Sequence, residues 1–484
     1  MKKLILLSAL FASFSLEMSI CKAQETVFDY THQGTTLYYI IDSNQQAMVV
    51  PPTYPNIYND GTMNLPWHGY TEPQGNIVIP DTVEYSGNHY AVKAVGERAF
   101  QRCDAITSIF VPATVQSIGL GAMAQCSNMQ AVTLSEGLVE IADYAFTEDT
   151  SLITITVPES VNSLGIEAFS LCEHLSSATL PQQLTVIPEG LFYYCFDLEN
   201  VNIPATLTEI GGWAFDSVLA LSDLVLPEGL TTVGIAAFQD CLGLQRISLP
   251  STLNRVEGWA FYDCPLLDSL IFPDELRYIG PVCMELCGSL NHCHLPEQLE
   301  YMEEWILYGT GMTSIEVPPH VTHINMGALA GCTQLHKVTF PASLVALGDS
   351  IFIDGTPLDT IILLCSVPPS ANESVFTEYT ATLIVPCGAA DTYRQHVIWG
   401  RFANIEENCN SIDDATQSSL PVVYVRDGSI VVEGADGEDV TVYDMEGRLI
   451  QTFKQSSSHA IPSGVYLVKV GNCHTQKVVV INNK

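Results

Sequence analysis

A unit of 23 residues recurs through the middle of this chain, from about residue 91 to residue 362. Each unit is marked by a proline or a substitute for it, and successive marks lie 23 residues apart with one interval of 22. The marks are Pro112, Ser135, Pro158, Pro181, Pro204, Pro227, Pro250, Pro273, Pro296, Pro318 and Pro341. Periods of about 20 to 29 residues with a recurring leucine are typical of a solenoid, in which each unit buries its apolar side against its neighbours. The sequence therefore predicts a repeat solenoid with a parallel β-sheet on one face.

Counting from each proline assigns the remaining positions. A phenylalanine or an apolar substitute stands eleven residues after the mark and identifies about twelve units, for example Phe146, Phe169 and Phe192. A leucine stands seventeen residues after it, and apolar residues stand one and three residues before it. Because side chains alternate between the two faces of a strand, the residues two and four positions before each proline must point outward. These outward positions form the candidate binding surface.

The segment 164–172, Leu-Gly-Ile-Glu-Ala-Phe-Ser-Leu-Cys, represents the pattern of the whole array. This pattern resembles the BspA-type leucine-rich repeats of bacterial surface proteins, and the likeness covers more than half of the chain. Residues 303–307 and 325–329 depart from it at the Gly and Ala-Phe positions. The resemblance implies an extracellular protein that takes part in adhesion or host-surface binding, and it names no ligand.

The N-terminus has the features of an export signal. Two lysines precede an apolar stretch from Leu4 to Phe14, and Ala23 offers a small residue for cleavage, so residues 1–23 are predicted to be a secretory signal peptide. A lipoprotein acylated at Cys21 is the alternative, although Ile20 stands where a small residue is expected. Residues 24–90 alternate irregularly between turns and short apolar runs, which predicts hairpins that cap the solenoid.

The repeat ends near residue 362, and three further segments are predicted. Residues 363–408 are similar to the closing segment of the same family, with a short helix expected around Tyr393, and residues 409–419 form a polar linker. Residues 420–484 contain short alternating strands with Gly-containing turns, which predicts a small β-sandwich. The run from Ile461 to Gly471 looks like the C-terminal sorting domain of type IX secretion in Bacteroidota. That resemblance implies contact with the secretion machinery, and a protein released or attached to the outer-membrane surface.

Composition restricts the function further. A formal net charge of -36 disfavours nucleic acids and anionic membranes as partners. Beyond the N-terminus, no apolar run approaches the length of about 18 to 20 residues that a membrane-spanning helix needs. The sequence has no Gly-x-Ser-x-Gly, no His-Glu-x-x-His, no Walker loop and no dinucleotide-binding turn, which favours a protein without catalytic residues or cofactors. A hydrolase remains a distant alternative.

Most of the outward positions carry Ser, Thr or Asn, and one block differs from this pattern. It places Arg246, His292, His294, Glu316 and Lys337 on the outward face, and these five residues are the predicted binding residues. The two histidines flank an inward-pointing Cys293, and with Glu316 they have the ligand types of a zinc site. A solvated patch is the simpler interpretation, and no metal site is predicted. The preferred ligand is an extracellular protein, with a glycan as the alternative.

Two further columns of residues recur. Eight cysteines stand fourteen residues after the mark, and we expect them to be buried free thiols, although disulfides between neighbouring units are the alternative. They are Cys103, Cys126, Cys172, Cys195, Cys241, Cys264, Cys287 and Cys332. Trp213, Trp259 and Trp305 stand in alternate units with small residues between them, as close packing requires. A strip for stacking sugars would instead require these indoles to be exposed.

Overall fold

The computed structural model describes residues 26–55, 66–409, 422–426, 429–433, 439–444, 448–454, 459–460, 464–470 and 474–480. The predicted signal peptide and nearly all of the predicted linker lie outside these residues. The chain divides into two units, the first ending at Asn408 and the second beginning at Cys409. Within the described residues, no helix has the length and apolarity needed to cross a membrane.

The first unit opens with short strands: β1 (Phe28–His32), β2 (Thr35–Ile41), β3 (Ala47–Val50), β4 (Gly75–Val78), β5 (Thr82–Tyr85) and β6 (Asn88–Val95). Strands β1, β2 and β3 form an antiparallel meander, and β5 and β6 form a hairpin. Trp67 is 3% exposed, and its indole N–H donates a hydrogen bond to the carbonyl oxygen of Ala99 at 2.9 Å. This side chain therefore fastens the N-terminal segment to the first repeat.

The repeats contribute twenty-two strands in order: β7 (Ile106–Val111), β8 (Ser117–Ile118), β9 (Ala131–Leu134), β10 (Glu140–Ile141), β11 (Thr154–Thr156), β12 (Ser163–Leu164), β13 (Ser177–Thr179), β14 (Val186–Ile187), β15 (Asn200–Val201), β16 (Glu209–Ile210), β17 (Asp223–Val225), β18 (Thr232–Val233), β19 (Arg246–Ser248), β20 (Arg255–Val256), β21 (Ser269–Ile271), β22 (Tyr278–Ile279), β23 (His292–His294), β24 (Tyr301–Met302), β25 (Ser314–Glu316), β26 (His323–Ile324), β27 (Lys337–Phe340) and β28 (Ala346–Leu347). The sequence predicts one strand per unit. The structure adds a second strand of two residues, so each turn of the solenoid has two hydrogen-bonded faces.

The first unit closes with β29 (Thr360–Leu363), β30 (Thr382–Pro386), helix α1 (Ala390–Gln395), a 3-10 turn (Trp399–Arg401) and β31 (Asn404–Asn408). Tyr393 of α1 is fully buried, and its hydroxyl donates a hydrogen bond to the carbonyl oxygen of Cys365 at 2.8 Å. The helix expected around Tyr393 is therefore present and covers the end of the core.

The strands that lie just before each proline form the front face of the solenoid. They pair in parallel in three sheets, ordered β15-β13-β11-β9-β7-β4, β17-β19-β21-β23 and β25-β27-β29-β30-β31. The front face begins at β4 and ends at β31, so it extends beyond the array in which the repeat is visible in the sequence. The expected fold class, a parallel β-solenoid of repeats of about 23 residues, is confirmed.

The phenylalanine column forms the centre of the core. Phe215, Phe238 and Phe261 are fully buried, and their rings stack with centroids 5.3 and 5.7 Å apart in successive units. Stacked aromatic rings at this spacing add attraction beyond the burial of their area. One continuous apolar layer therefore joins the units, as expected for a solenoid.

The thiol column lies beside the phenylalanine column, and all eight of its cysteines are free and buried. Seven of the thiols donate a hydrogen bond to a carbonyl oxygen of the preceding unit at 3.1 or 3.2 Å. Burial raises the pKa of the column thiols, for example of Cys172 and Cys264. The prediction of buried free thiols is confirmed. Cys365 is also free, whereas Cys387 and Cys409 are disulfide-bonded, and Cys473 lies outside the described residues.

Asp149 interrupts the thiol column. It is fully buried, and one carboxylate oxygen accepts the N–H of Cys126 at 2.8 Å, while the other oxygen has no hydrogen-bond partner. Burial raises the pKa of this carboxyl well above its ordinary value. Counting along the column would have found this residue, because it stands fourteen positions after Ser135.

The second unit contains seven strands in its described residues: β32 (Val422–Arg426), β33 (Ser429–Glu433), β34 (Asp439–Asp444), β35 (Leu449–Lys454), β36 (His459–Ala460), β37 (Gly464–Val470) and β38 (His474–Val480). They form two antiparallel sheets, β32-β33-β36 and β35-β34-β37-β38. Val440, Val442 and Val468 are buried. Two small antiparallel sheets fit the β-sandwich expected for this segment.

Candidate functional site

The four-stranded sheet β17-β19-β21-β23, here called the middle sheet, carries most of the unusual outward residues. It is separated from the preceding sheet because the Asn202 side chain binds both the N–H and the carbonyl oxygen of Leu180, at 2.6 and 2.9 Å, after β15 has ended. It is separated from the following sheet at the unit of 22 residues, between β23 and β25. The residue missing from that unit accounts for the change of register. The middle sheet is therefore a distinct panel of the front face.

Parallel pairing sorts the outward side chains of the middle sheet into two rows. Four residues before each proline, the row consists of Asp223, Arg246, Ser269 and His292. Two residues before each proline, the row consists of Val225, Ser248, Ile271 and His294. The panel thus combines one guanidinium, one carboxylate, two imidazoles and two β-branched apolar side chains within four units.

A shallow groove of about 490 Å³ crosses this panel and is lined by residues of β17, β19 and β21. Val225 and Ile271 lie in it with 74% and 66% of their surface exposed, although most large apolar side chains of the strands are buried. Between them, the Arg246 guanidinium forms an ion pair with Asp223 at 2.5 Å. Exposed apolar groups beside a paired charge are the chemistry of protein-binding surfaces, where arginine is enriched.

The two predicted histidines lie on the outward face of β23, with both side chains exposed and Cys293 between them turned toward the core. His294 Nε2 lies 2.8 Å from the carboxylate of Asp274, which follows the mark of the preceding unit. Glu316 and Lys337 belong to the next sheet, on β25 and β27. In the part of the chain that the structure describes, His292, His294 and Glu316 do not gather their ligand atoms around one point where a metal ion could bind.

The sequence analysis overlooked three of these residues. Asp223 and Val225 occupy the two outward positions before Pro227, so the unusual block begins one unit earlier than predicted. The same counting rule applied to this unit would have found both residues. Asp274 had no such signal, because it stands one residue after a proline and outside the outward rows.

The tryptophan column does not form an exposed strip. Trp259 is 39% exposed, whereas Trp213 and Trp305 are half-buried. All three have a backbone φ between 54° and 57°, in the left-handed region that glycine occupies in other units, as at Gly121 and Gly327. The Trp305 ring lies against Gly327, where an added Cβ would meet it at 2.3 Å. Large residues therefore alternate with small ones, as the packing argument predicts.

The repeat also matches a known protein family. The model of the BspA type leucine-rich repeat region matches residues 93–222, 213–330 and 306–384 in six copies. The chain belongs to the BspA-type leucine-rich-repeat family. Because the matched ranges together cover more than half of the chain, the resemblance stated from the sequence pattern is confirmed for the repeat array.

Several solved structures are similar to this member of the BspA-type family. A leucine-rich cell surface protein from Faecalibacterium prausnitzii is 25% identical with a TM-score of 0.49, and the match covers 74% of this chain and 99% of that one. A leucine-rich-repeat protein from Bacteroides ovatus is 23% identical with a TM-score of 0.46, covering 71% and 94%. The pneumococcal vaccine antigen PcpA is 16% identical with a TM-score of 0.34, covering 80% and 100%. A comparison with curated proteins gave no significant match.

Proposed function

We propose that this protein is an exported, non-enzymatic binding protein that acts at the cell surface or after secretion and recognises another protein through the middle sheet. The observation that supports this function best is the exposure of Val225 and Ile271 beside the Arg246–Asp223 ion pair, over a groove of about 490 Å³. Exposed β-branched side chains do not stabilise a solenoid, since its apolar residues are needed in the core. Burial of these side chains against a partner would explain their position on a face that is otherwise small and polar.

The BspA-type family and the chemistry of the cysteines support export. Cys387 is disulfide-bonded, and disulfides persist in oxidising compartments. The buried column thiols are compatible with the same environment, because thiols in the neutral form and shielded from solvent react slowly. We further propose that residues 1–23 act as a signal peptide and that the second unit is a sorting domain for type IX secretion. The mature protein should then begin at Gln24 and end between residues 408 and 420, and an intact mass that retains the second unit on surface-displayed protein would contradict the sorting proposal.

The binding proposal can be tested on purified full-length protein against panels of extracellular matrix proteins and of glycans. A partner found on the protein panel should bind at least fivefold more weakly to Arg246→Ala and to the Val225→Ser/Ile271→Ser double variant, since buried arginine and apolar anchors dominate such interfaces. The matched control is Val367→Ser, because Val367 is 71% exposed outside the middle sheet. A protein partner that binds all of these variants as well as the parent would place recognition on another surface.

A glycan-binding function is the second candidate, and the exposure of Trp259 favours it. An exposed indole offers a flat apolar face on which a sugar ring can stack. Binding to the glycan panel that is lost in Trp259→Ala and retained in Arg246→Ala would select this function. The opposite pattern, with a protein partner, would select recognition by the middle sheet.

A further inference from the structure

A separate cavity of about 240 Å³ lies where the last repeat meets the C-terminal segment, away from the middle sheet. In this unit the thiol column contributes no side chain, because Gly355 stands at the position that Cys332 occupies one unit earlier. An added Cβ at Gly355 would meet nothing within 4 Å. The following residues, Thr356 and Pro357, line the cavity. The cavity therefore forms where the filling pattern of the array stops.

The walls of the cavity are apolar and fixed. Phe352 and Phe376 stack with centroids 5.4 Å apart, and Phe376 meets Phe402 edge-on at 5.1 Å. These three rings are at most 5% exposed, so the walls are held by the core. Leu358 and Ile361 also line the cavity. Such walls can accept an aliphatic chain of a few carbon atoms.

The charged groups that line the cavity are all negative. Asp359 and Glu378 are its two ionisable lining residues, and neither lysine nor arginine contributes to the lining. The Asp359 carboxylate lies 3.0 Å from Nδ1 of His336, outside the lining. Among the described residues, Glu378 has no hydrogen-bond or ion-pair partner. The net charge of -36 adds a long-range attraction for cations.

We infer that this cavity binds the side chain of a lysine presented by a partner protein. The butyl chain of lysine would pack against the phenylalanine and leucine walls while its ammonium remains at the rim. There a compact charge with three donors can be shared between Asp359 and Glu378. An anionic or purely aliphatic group would leave one part of the cavity unmatched. This inference is independent of the function proposed for the middle sheet, because no residue is common to the two sites.

The experiment measures binding of Nα-acetyl-lysine methylamide to the full-length protein by ligand-observed NMR titration at low salt. Nα-acetyl-norleucine methylamide is the matched control ligand, because it keeps the aliphatic chain and lacks the ammonium. We expect saturable binding of the lysine compound and at least threefold weaker binding of the norleucine compound. Binding of the lysine compound should also weaken at 0.5 M salt, because exposed charges are screened.

Variants locate the binding. Asp359→Asn and Glu378→Gln should each weaken lysine binding by about two- to fivefold, the range expected for exposed ion pairs. Thr380→Trp should abolish it by filling the cavity from an exposed lining position. Glu406→Gln on β31 is the charge control and should leave binding unchanged. The inference is overturned if no saturable binding occurs, if both ligands bind equally, if the two charge variants bind like the parent, or if Glu406→Gln weakens binding to the same extent.

Discussion

The thiol of Cys264 donates a hydrogen bond to the carbonyl oxygen of Phe238, one unit earlier in the solenoid, at 3.1 Å. The same contact recurs in most units, so the thiol column both fills space and satisfies a buried carbonyl group. Valine occupies the column at Val218 without exposure, which shows that the volume of an isopropyl group is accepted there. The difference between cysteine and valine at this position is therefore mainly the hydrogen bond.

Cys264→Val should lower the free energy of unfolding by about 0.5 to 1 kcal/mol, the range for one weak donor to a buried carbonyl. The reciprocal variant, Val218→Cys, adds a donor and should shift the unfolding midpoint in the opposite direction. Urea denaturation of both variants measures the two shifts. Shifts of the same sign would show that volume, and not the hydrogen bond, decides the residue in this column.

The column thiols should resist alkylation in the native protein. The thiolate is the reactive form, and burial raises the pKa of these thiols, so the native column contains almost none of it near pH 8. Treatment with iodoacetamide should label the eight column cysteines only after denaturation, as counted by peptide mass. Neighbouring column cysteines recovered as a disulfide-linked pair would contradict the free thiols of the structure.

Asp149→Asn should stabilise the protein at neutral pH. Because burial raises the pKa of Asp149 in the folded state, the stability associated with its neutral form is present below the ordinary pKa and is lost as the pH rises through the folded-state value. The asparagine keeps an acceptor for the N–H of Cys126 and carries no charge at any pH. The melting temperature of the variant should match that of the parent near pH 4 and exceed it by roughly 2 °C or more near pH 8.

The control for this comparison is Glu140→Gln, since Glu140 is exposed on β10. Its melting temperature should follow that of the parent across the whole range. A difference between Asp149→Asn and the parent that stays constant from pH 4 to pH 8 would show that the carboxyl does not titrate in this way.

The repeat explains why the fold could be predicted so fully from the sequence. Side chains alternate along each strand, and the period repeats the same strand in every unit, so one proline sets the orientation of every neighbouring residue. This is why Cys293 was correctly placed inward between His292 and His294. The second strand in each unit was missed because two residues, such as Glu140 and Ile141, are too few to show alternation.

The boundaries of the candidate site required contacts that the period does not encode. The separation of the middle sheet from the preceding one depends on the Asn202 side chain, which reaches the backbone of Leu180 and does not join the outward row. The His294–Asp274 pair joins residues 20 positions apart, which counting by 23 does not bring together. The cavity beside Phe352 arises where the repeat ends, so the repeat cannot predict it.

Gly327→Ala should destabilise the protein by about 1 to 3 kcal/mol, because the added Cβ would lie 2.3 Å from the Trp305 ring and the backbone φ is +66°. Gly121→Ala is the matched control, since Gly121 has a φ of +56° and its nearest contact would be at 3.7 Å. This control measures the cost of the left-handed backbone alone, about 1 kcal/mol. Adding Trp305→Ala should recover part of the loss at residue 327, and additive effects in the double-mutant cycle would contradict the contact.

Replacement of His292 and His294 by serine should leave the melting temperature nearly unchanged. Both side chains are exposed, and the one ion pair that is lost, His294–Asp274, lies at the surface, where such pairs contribute about 0 to 1 kcal/mol. If the middle sheet binds a partner, the same double variant should bind it more weakly. The difference should be larger near pH 6 than near pH 8, since histidine changes its charge in this range.

The matched control for the histidines is His174→Ser, which removes another exposed imidazole paired with a carboxylate, Asp197, at 2.8 Å. Because His174 lies outside the middle sheet, this variant should lose as little stability as the double variant and should bind the partner like the parent. Equal weakening by His174→Ser would indicate a general electrostatic effect on a protein of net charge -36. Unchanged binding by the double variant at both pH values would limit the recognition surface to β17, β19 and β21, where Val225, Arg246 and Ile271 lie.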